Sequence, residues 1–303
     1  MKIIKPKKLK KGDTIGIIAV SGQIRDISKI EKAKHFFEQE GYNVIISDTC
    51  YSSHRYMAGN NDDSCIKTLH DFFLNREIDA IICARGGYGT LRLLNKINWE
   101  IIRKNPKIFA GYSDISILLA MFYKKTGLIC FHSPMPNGDF SDKINDYTKN
   151  SFFNTLTGKT TEISSERKTI YNKGIARGKL WGGNLSSIVS LAGLDFIPDG
   201  EIVLFAEDLN EPAYKIDKMF TQLFNIDKIK RNIKGIAIGE FQNIDNNSYF
   251  NDILSEIALN YNIPVCSGFN ITHGKQKDTI PYGINVLFNS EKGFIKFEEE
   301  YID

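Results

Sequence analysis

Lys107-Ile-Phe-Ala-Gly-Tyr-Ser-Asp114 runs without a break into Ile115-Ser-Ile-Leu-Leu-Ala-Met-Phe-Tyr-Lys124. The first half is a short apolar strand closed by a Gly-x-Ser turn, and the second carries an amphipathic helical pattern. A strand that turns sharply into a helix is half of a βαβ unit, and the same alternation recurs outward from it. Thr14–Val20, Asn43–Ile46, Asp79–Cys83, Lys107–Ala110 and Leu128–Phe131 read as strands, while Lys29–Glu40, Asp62–Leu74, Thr90–Lys96 and Ile115–Lys124 read as helices. Strands spaced by helices predict right-handed crossovers and a mostly parallel sheet covered on both faces. In such a sheet, ligand chemistry collects at the carboxyl ends of the strands.

From Ser141 to Lys173 the texture changes to Asp, Asn, Ser, Thr and Lys with few apolar positions, which reads as a surface connection. The expected organisation is an N-terminal α/β domain over residues 1–140, a linker over 141–173 and a C-terminal domain over 174–303. The last has its own strands (Ile175–Leu180, Ile202–Phe205, Gly235–Ile238, Val265–Ser267, Asn285–Phe288) and helices (Leu185–Ala192, Tyr214–Phe224, Phe250–Tyr261). Its strand pattern is the more mixed of the two.

Composition narrows the function. The 303 residues carry 39 Lys+Arg against 36 Asp+Glu, a formal +3, with 42% hydrophobic residues. That length buries a core without staples. So small a charge gives no electrostatic case for nucleic acid, which needs clustered cations. No apolar run approaches the roughly eighteen residues of a membrane span, and the basic start up to Lys11 has no apolar h-region behind it. The cytoplasm is the expected compartment. Five scattered cysteines, without a CxxC pair or a His at ligand spacing, support neither a disulfide framework nor a metal site.

Several constellations could carry chemistry. The Gly111-Tyr-Ser113 turn has the context of a nucleophile elbow, with free amides at the following helix start to receive an oxyanion. Ile115 replaces the last Gly of the usual G-x-S-x-G, and Ser113 or Asp114 could equally be a plain N-cap. Ile81-Ile-Cys-Ala-Arg-Gly-Gly-Tyr-Gly-Thr90 puts a Gly-rich turn at a strand end, where it serves either backbone geometry or close approach to an anion. Of the five histidines, His35 and His70 fall in helical patterns and His54 in a polar loop. His132 follows a strand, and His273 sits in the Gly-flanked loop Phe269-Asn-Ile-Thr-His-Gly-Lys275, the better place for a general base. Ile202-Val-Leu-Phe-Ala-Glu-Asp208 offers Glu207 and Asp208 as orienting acids, with Glu211 a third; Asp208 and Glu211 also suit the start of the helix near Pro212.

In this order the blocks resemble the LD-carboxypeptidase family of serine peptidases, whose related branch contains the microcin C self-immunity peptidases. The resemblance rests on Lys11-Gly-Asp-Thr-Ile-Gly-Ile-Ile-Ala19, Arg85-Gly-Gly-Tyr-Gly89, Gly111-Tyr-Ser-Asp114, Lys179-Leu-Trp-Gly-Gly-Asn184, Phe205-Ala-Glu-Asp208, Glu211-Pro-x-Tyr-x-Ile-Asp217 and His273-Gly274. The chain departs from the family at Ala19-Val-Ser-Gly22, where Ala-Pro-Ser is usual, and at Phe131-His-Ser-Pro134. The resemblance implies Ser113 as nucleophile, His273 as base and Glu207 as its orienting acid. It implies an oxyanion hole of backbone amides at Gly87, Tyr88 and Asp114, and substrate contacts at Arg85, Gly86, Trp181 and Asn184. It further implies a site in the cleft between two domains, a homodimer, and no metal or cofactor.

The implied reaction is cleavage of an L,D peptide bond, releasing terminal D-alanine from murein tetrapeptides in peptidoglycan recycling. Two alternatives stand beside it: a self-immunity peptidase hydrolysing a peptidyl-nucleotide antibiotic, and a binding module that uses the cleft without chemistry. A cation such as Arg85 would hold the substrate's terminal carboxylate bidentately.

Overall fold

A computed structural model describes residues 2–141, 144–271 and 273–303; Met1, Asp142, Lys143 and Thr272, the last from the expected His loop, lie outside it. The chain divides into two units. One comprises Met1–Lys159 with Thr279–Pro281 and Tyr301–Asp303, the other Thr160–Asp278 with Tyr282–Glu300.

The first unit contains β1 (Thr14–Ile18), α1 (Ile27–Gln39), β2 (Asn43–Ile46), the two-residue strands β3 (Ser53–His54) and β4 (Met57–Ala58), α2 (Asp62–Leu74) and β5 (Ala80–Cys83). There follow α3 (Thr90–Leu93), α4 (Trp99–Lys104), β6 (Ile108–Gly111), α5 (Ser116–Thr126), β7 (Cys130–His132) and α6 (Asp146–Leu156). Its sheet runs Ile280–Tyr282, β7, β6, β5, β1, β2, and neighbours from β7 to β2 are parallel. Ile15, Ile17, Ile18 and all of β5 are buried, as continuous apolar runs under helices on both faces should be. Strand order reverses between β1 and β5, the place where such sheets collect ligand chemistry, and the loops leaving the two strands meet there, Gly22 N donating to Gly86 O at 3.1 Å.

Local signals account for the helix limits. Asn61 and Ser64 form a capping box at the start of α2, and Gly127 stops α5 in the left-handed region at φ +82°. The helix after the Gly-x-Ser turn is not amphipathic as expected: every residue from Ser116 to Tyr123 is buried, because α3, α4, β6 and β7 all pack on it. Only Lys124 and Lys125 reach water, at the end where cations favour the helix dipole.

The stretch expected as a linker is structured. Asn145 caps α6, and Phe152 and Leu156 bury a narrow seam of it in the first unit. The division falls at Lys159/Thr160, inside residues 141–173. Phe152, Phe153 and Leu156 form an i, i+1, i+4 stripe too short to stand out against its polar neighbours.

The second unit begins with β8 (Glu162–Ser164), β9 (Ile170–Asn172), β10 (Ile175–Asn184) and α7 (Leu185–Val189). It continues through β11 (Ile202–Leu209), α8 (Ala213–Phe224), α9 (Asp227–Asn232), β12 (Ile233–Gln242), α10 (Asn247–Tyr261) and β13 (Val265–Ser267). β14 is the Ile280–Tyr282 strand already met in the first sheet, and β15 (Asn285–Asn289) and β16 (Phe294–Phe297) complete the second. The order is β8-β16-β15-β10-β11-β12-β13-β9, with β10 to β13 parallel and antiparallel pairs outside them. The fold is thus α/β with a parallel N-terminal sheet and a mixed C-terminal one. Among the described residues no helix is long and apolar enough to cross a membrane.

Candidate active site

Ser113 follows β6 with φ +62°, one of few non-glycine residues in the left-handed region. A β-carbon makes that conformation costly, so it persists where the surroundings fix it. The fixing groups are visible. A β-carbon on Gly86 would lie 2.6 Å from Ser113 Cβ and 2.8 Å from its Oγ, so only glycine permits this approach. The Arg85–Gly89 turn, with Gly87 at φ +125° and Gly89 at +150°, therefore lies directly against the elbow.

Asp114 does not cap its own helix. Its Oδ2 accepts from Ser21 Oγ at 2.6 Å and from Thr90 N at 3.1 Å, and its carbonyl accepts from Thr90 Oγ1 at 2.8 Å. Burial pushes this carboxyl upward from its ordinary range, and the bonds from Ser21 and Thr90 oppose the push. Ser21 and Thr90 were not among the expected site residues. Ser21 sits in the Ala19-Val-Ser-Gly22 departure, and nothing in the local sequence connects it with a residue 93 positions away.

Arg85 is half-buried. Its Nε donates to Gly86 O at 3.1 Å and its Nη1 to Gln23 O at 3.0 Å. The bidentate grip expected of it is therefore partly spent on the backbone. Burial and then the nearby Arg25 disfavour its charge, with Tyr112 acting the other way. Tyr88 is exposed, its ring 5.7 Å from that of Tyr56.

In the second unit Glu207 ends the buried run of β11 and is fully buried; His273 lies in the loop after β13. Glu207 Oε2 and His273 Nδ1 are 2.6 Å apart. Burial, and to a smaller extent the charge of Asp208, raise the Glu207 carboxyl, while His273 and Asn184 draw it back. For His273, burial works against the imidazolium, but the hydrogen bond and charge of Glu207 outweigh it and hold the ring above its usual value. A bulge in β12 seats the loop. Gly239 and Glu240 occupy the interval opposite Glu207, Glu240 N donates to Ile271 O at 2.9 Å, and a β-carbon on Gly239 would collide with that carbonyl.

The other acids are committed elsewhere. Asp208 accepts from Asn184 Nδ2 at 2.9 Å and Ser186 N at 2.8 Å, and Glu211 pairs with Lys215 at 3.4 Å. Asn184, 5% exposed, caps α7 through Ser187 N, and Trp181, 1% exposed, packs against Phe196. Both were expected as substrate contacts; their places on a central strand and at a helix cap turn them inward instead. His35 meets Gln39, His54 meets Gly59 O, His70 accepts from Asn98 N, and His132 is buried beside Tyr112. Among the described residues no three His, Cys, Asp or Glu side chains cluster as metal ligands.

Comparison with known proteins agrees over most of the chain. Residues 15–133 match the LD-carboxypeptidase N-terminal domain and residues 177–287 the LD-carboxypeptidase C-terminal domain. A probable murein peptide carboxypeptidase of Bacillus subtilis (strain 168) is 36% identical over 298 residues, covering 94% of this chain and 92% of the relative. The solved muramoyltetrapeptide carboxypeptidase of Oxalobacter formigenes superposes with TM-score 0.81 at 30% identity, over 93% of this chain and 97% of that one. The apo microcin C7 self-immunity protein MccF shares the fold at TM-score 0.90 and 22% identity, over 99% and 100% of the two chains.

Proposed function

The chain belongs to the LD-carboxypeptidase family and is a carboxypeptidase of the serine type, and from that premise we propose that it cleaves the L,D bond of murein tetrapeptides and releases terminal D-alanine. The observation that carries the proposal is the 2.6 Å contact of buried Glu207 with His273. It assigns the roles of the imidazole's two nitrogens: Nδ1 donates to the carboxylate, which leaves Nε2 to accept a proton.

In this reading His273 Nε2 takes the Ser113 proton as Oγ attacks the carbonyl of the L-centre. The amides of Gly87, Tyr88 and Asp114 receive the oxyanion, and the imidazolium protonates the departing D-alanine nitrogen. Water then takes the place of the amine and repeats the sequence on the acyl-enzyme. The unspent edge of Arg85, reinforced by Arg25, meets a substrate carboxylate. The reading extends to peptidoglycan recycling in the cytoplasm by a homodimer.

The test is incubation of the purified protein with L-Ala-γ-D-Glu-diaminopimelate-D-Ala, D-alanine being followed by mass spectrometry, in parallel with an aminoacyl sulfamoyl adenylate. Release of D-alanine by the parent and none by a folded Ser113→Ala variant is the expected result. Turnover of the adenylate alone would replace this reading with self-immunity, and binding of the tetrapeptide without turnover would leave a binding module.

A further inference from the structure

The buried carboxylate of Asp114 does more than its position in the turn requires. A carboxylate that only capped the elbow helix would bond amides of its own segment. Here it crosses to two others. One oxygen accepts from Ser21, in the loop after β1, and from the Thr90 amide, at the start of α3; Thr90 Oγ1 returns a bond to the Asp114 carbonyl. These loops flank the point where strand order reverses. They are also joined directly, since Gly22 N donates to Gly86 O at 3.1 Å.

The cap on α3 is informative. Its N-cap is Gly89, which has no side chain to offer and whose φ of +150° disfavours a residue that would have one. The helix start takes its acceptor instead from the residue after Ser113. The Gly86–Gly89 turn and the elbow are thereby tied at both ends: by the close approach of Gly86 to Ser113 and by the Thr90–Asp114 pair. Ser21 is 1% exposed, Thr90 0% and Asp114 5%, so water does not compete for these bonds.

We infer that Asp114 is a positioning residue whose side chain sets the spacing between the two halves of the oxyanion hole, the amides of Gly87 and Tyr88 on one side and its own amide on the other. The inference rests on the assignment of Ser113 as nucleophile. An oxyanion donor works only within a few tenths of an ångström of where the charge develops, and losing one costs about 100- to 1000-fold in kcat. A brace that keeps two donors in register should therefore affect kcat and leave KM nearly alone.

The test uses the full-length protein with Asp114→Ala, Asp114→Asn and Ser21→Ala, measuring kcat and KM for D-alanine release and the rate of phosphonylation by an alkyl fluorophosphonate. Asp114→Ala should lose about 100-fold or more in kcat and fall in parallel in the phosphonylation rate, with KM within threefold. Asp114→Asn keeps an acceptor oxygen and should recover most of the loss. Ser21→Ala removes one bond from a small side chain and should lie between them, which keeps the test decisive should Asp114→Ala not fold. The inference is overturned if a folded Asp114→Ala keeps parental kcat and phosphonylation rate, if Ser21→Ala keeps both, if the loss lies in KM alone, or if circular dichroism shows that the unfolded fraction accounts for it. Activity surviving in Ser113→Ala would instead bring down the nucleophile assignment.

Discussion

Gly86→Ala adds a single methyl where the structure has no room for it. The new Cβ would stand 2.6 Å from Ser113 Cβ, 2.8 Å from Ser113 Oγ and 3.3 Å from Asp114 N. Non-bonded carbons rest about 3.5–4.0 Å apart, so roughly 1 Å must be found. Neither side yields easily. Ser113 is held at φ +62° by the bonds of Asp114, and Gly86 is held through its carbonyl by Gly22 N and Arg85 Nε. Gly86 itself lies outside the left-handed region, so alanine suits its backbone and the effect isolates the contact. Overpacking of this kind costs about 1–3 kcal/mol of stability. A displacement of about 1 Å at a reacting atom costs about 100-fold in rate, or close to 2.7 kcal/mol of activation free energy. The expected outcome is a fall of about 100-fold in kcat/KM for D-alanine release, with cooperative unfolding retained. Gly138→Ala, whose β-carbon would meet nothing within 4 Å, is the matched control and should match the parent. A Gly86→Ala enzyme keeping more than a third of parental kcat/KM would refute the reasoning.

In the proposed mechanism His273 acts as a neutral base, and Glu207 holds its ring above the usual value, so kcat/KM should decline as pH falls through that raised value. In Glu207→Gln the charge that outweighs burial is gone, so the acid limb should move to lower pH while the plateau drops; an unmoved limb would count against the pairing. Glu211→Ala should leave both nearly unchanged, because that carboxylate faces Lys215. Burial pushes the thiols of Cys50 and Cys65 up to about 12 and about 11, so iodoacetamide at neutral pH should neither label nor inactivate the native enzyme. Mass spectrometry of the intact protein checks this.

Much of the first unit was legible in the sequence because it is built from local signals. The helical pattern of α2 and the short apolar runs of β1, β5 and β6 announce themselves within a few residues. The proposed acid and base were legible as residue types at or after strand ends, and the structure places Glu207 beside His273. What local reading missed depends on tertiary contact. The burial of α5 on every side is set by neighbouring elements, and the Ser21–Asp114 bond spans 93 residues. The bulge at Gly239–Glu240 needs the Ile271 carbonyl to explain it. Trp181 was expected as a substrate contact only through the family resemblance, whereas β10 continues through it to Asn184 and buries the indole.

The first sheet takes its strand beside β7 from Ile280–Tyr282, and Asp303 exchanges backbone bonds with Pro6 and Lys8. A ribosome delivers β7 about 150 residues before that partner, so at 5–20 residues per second the flank of β7 stays open for on the order of ten seconds. An unpaired apolar strand edge is a template for the wrong neighbour during that interval. Cutting the gene at the Lys159/Thr160 division would make the delay permanent. Fragments for separate expression should instead carry the late segments grafted back onto the early one.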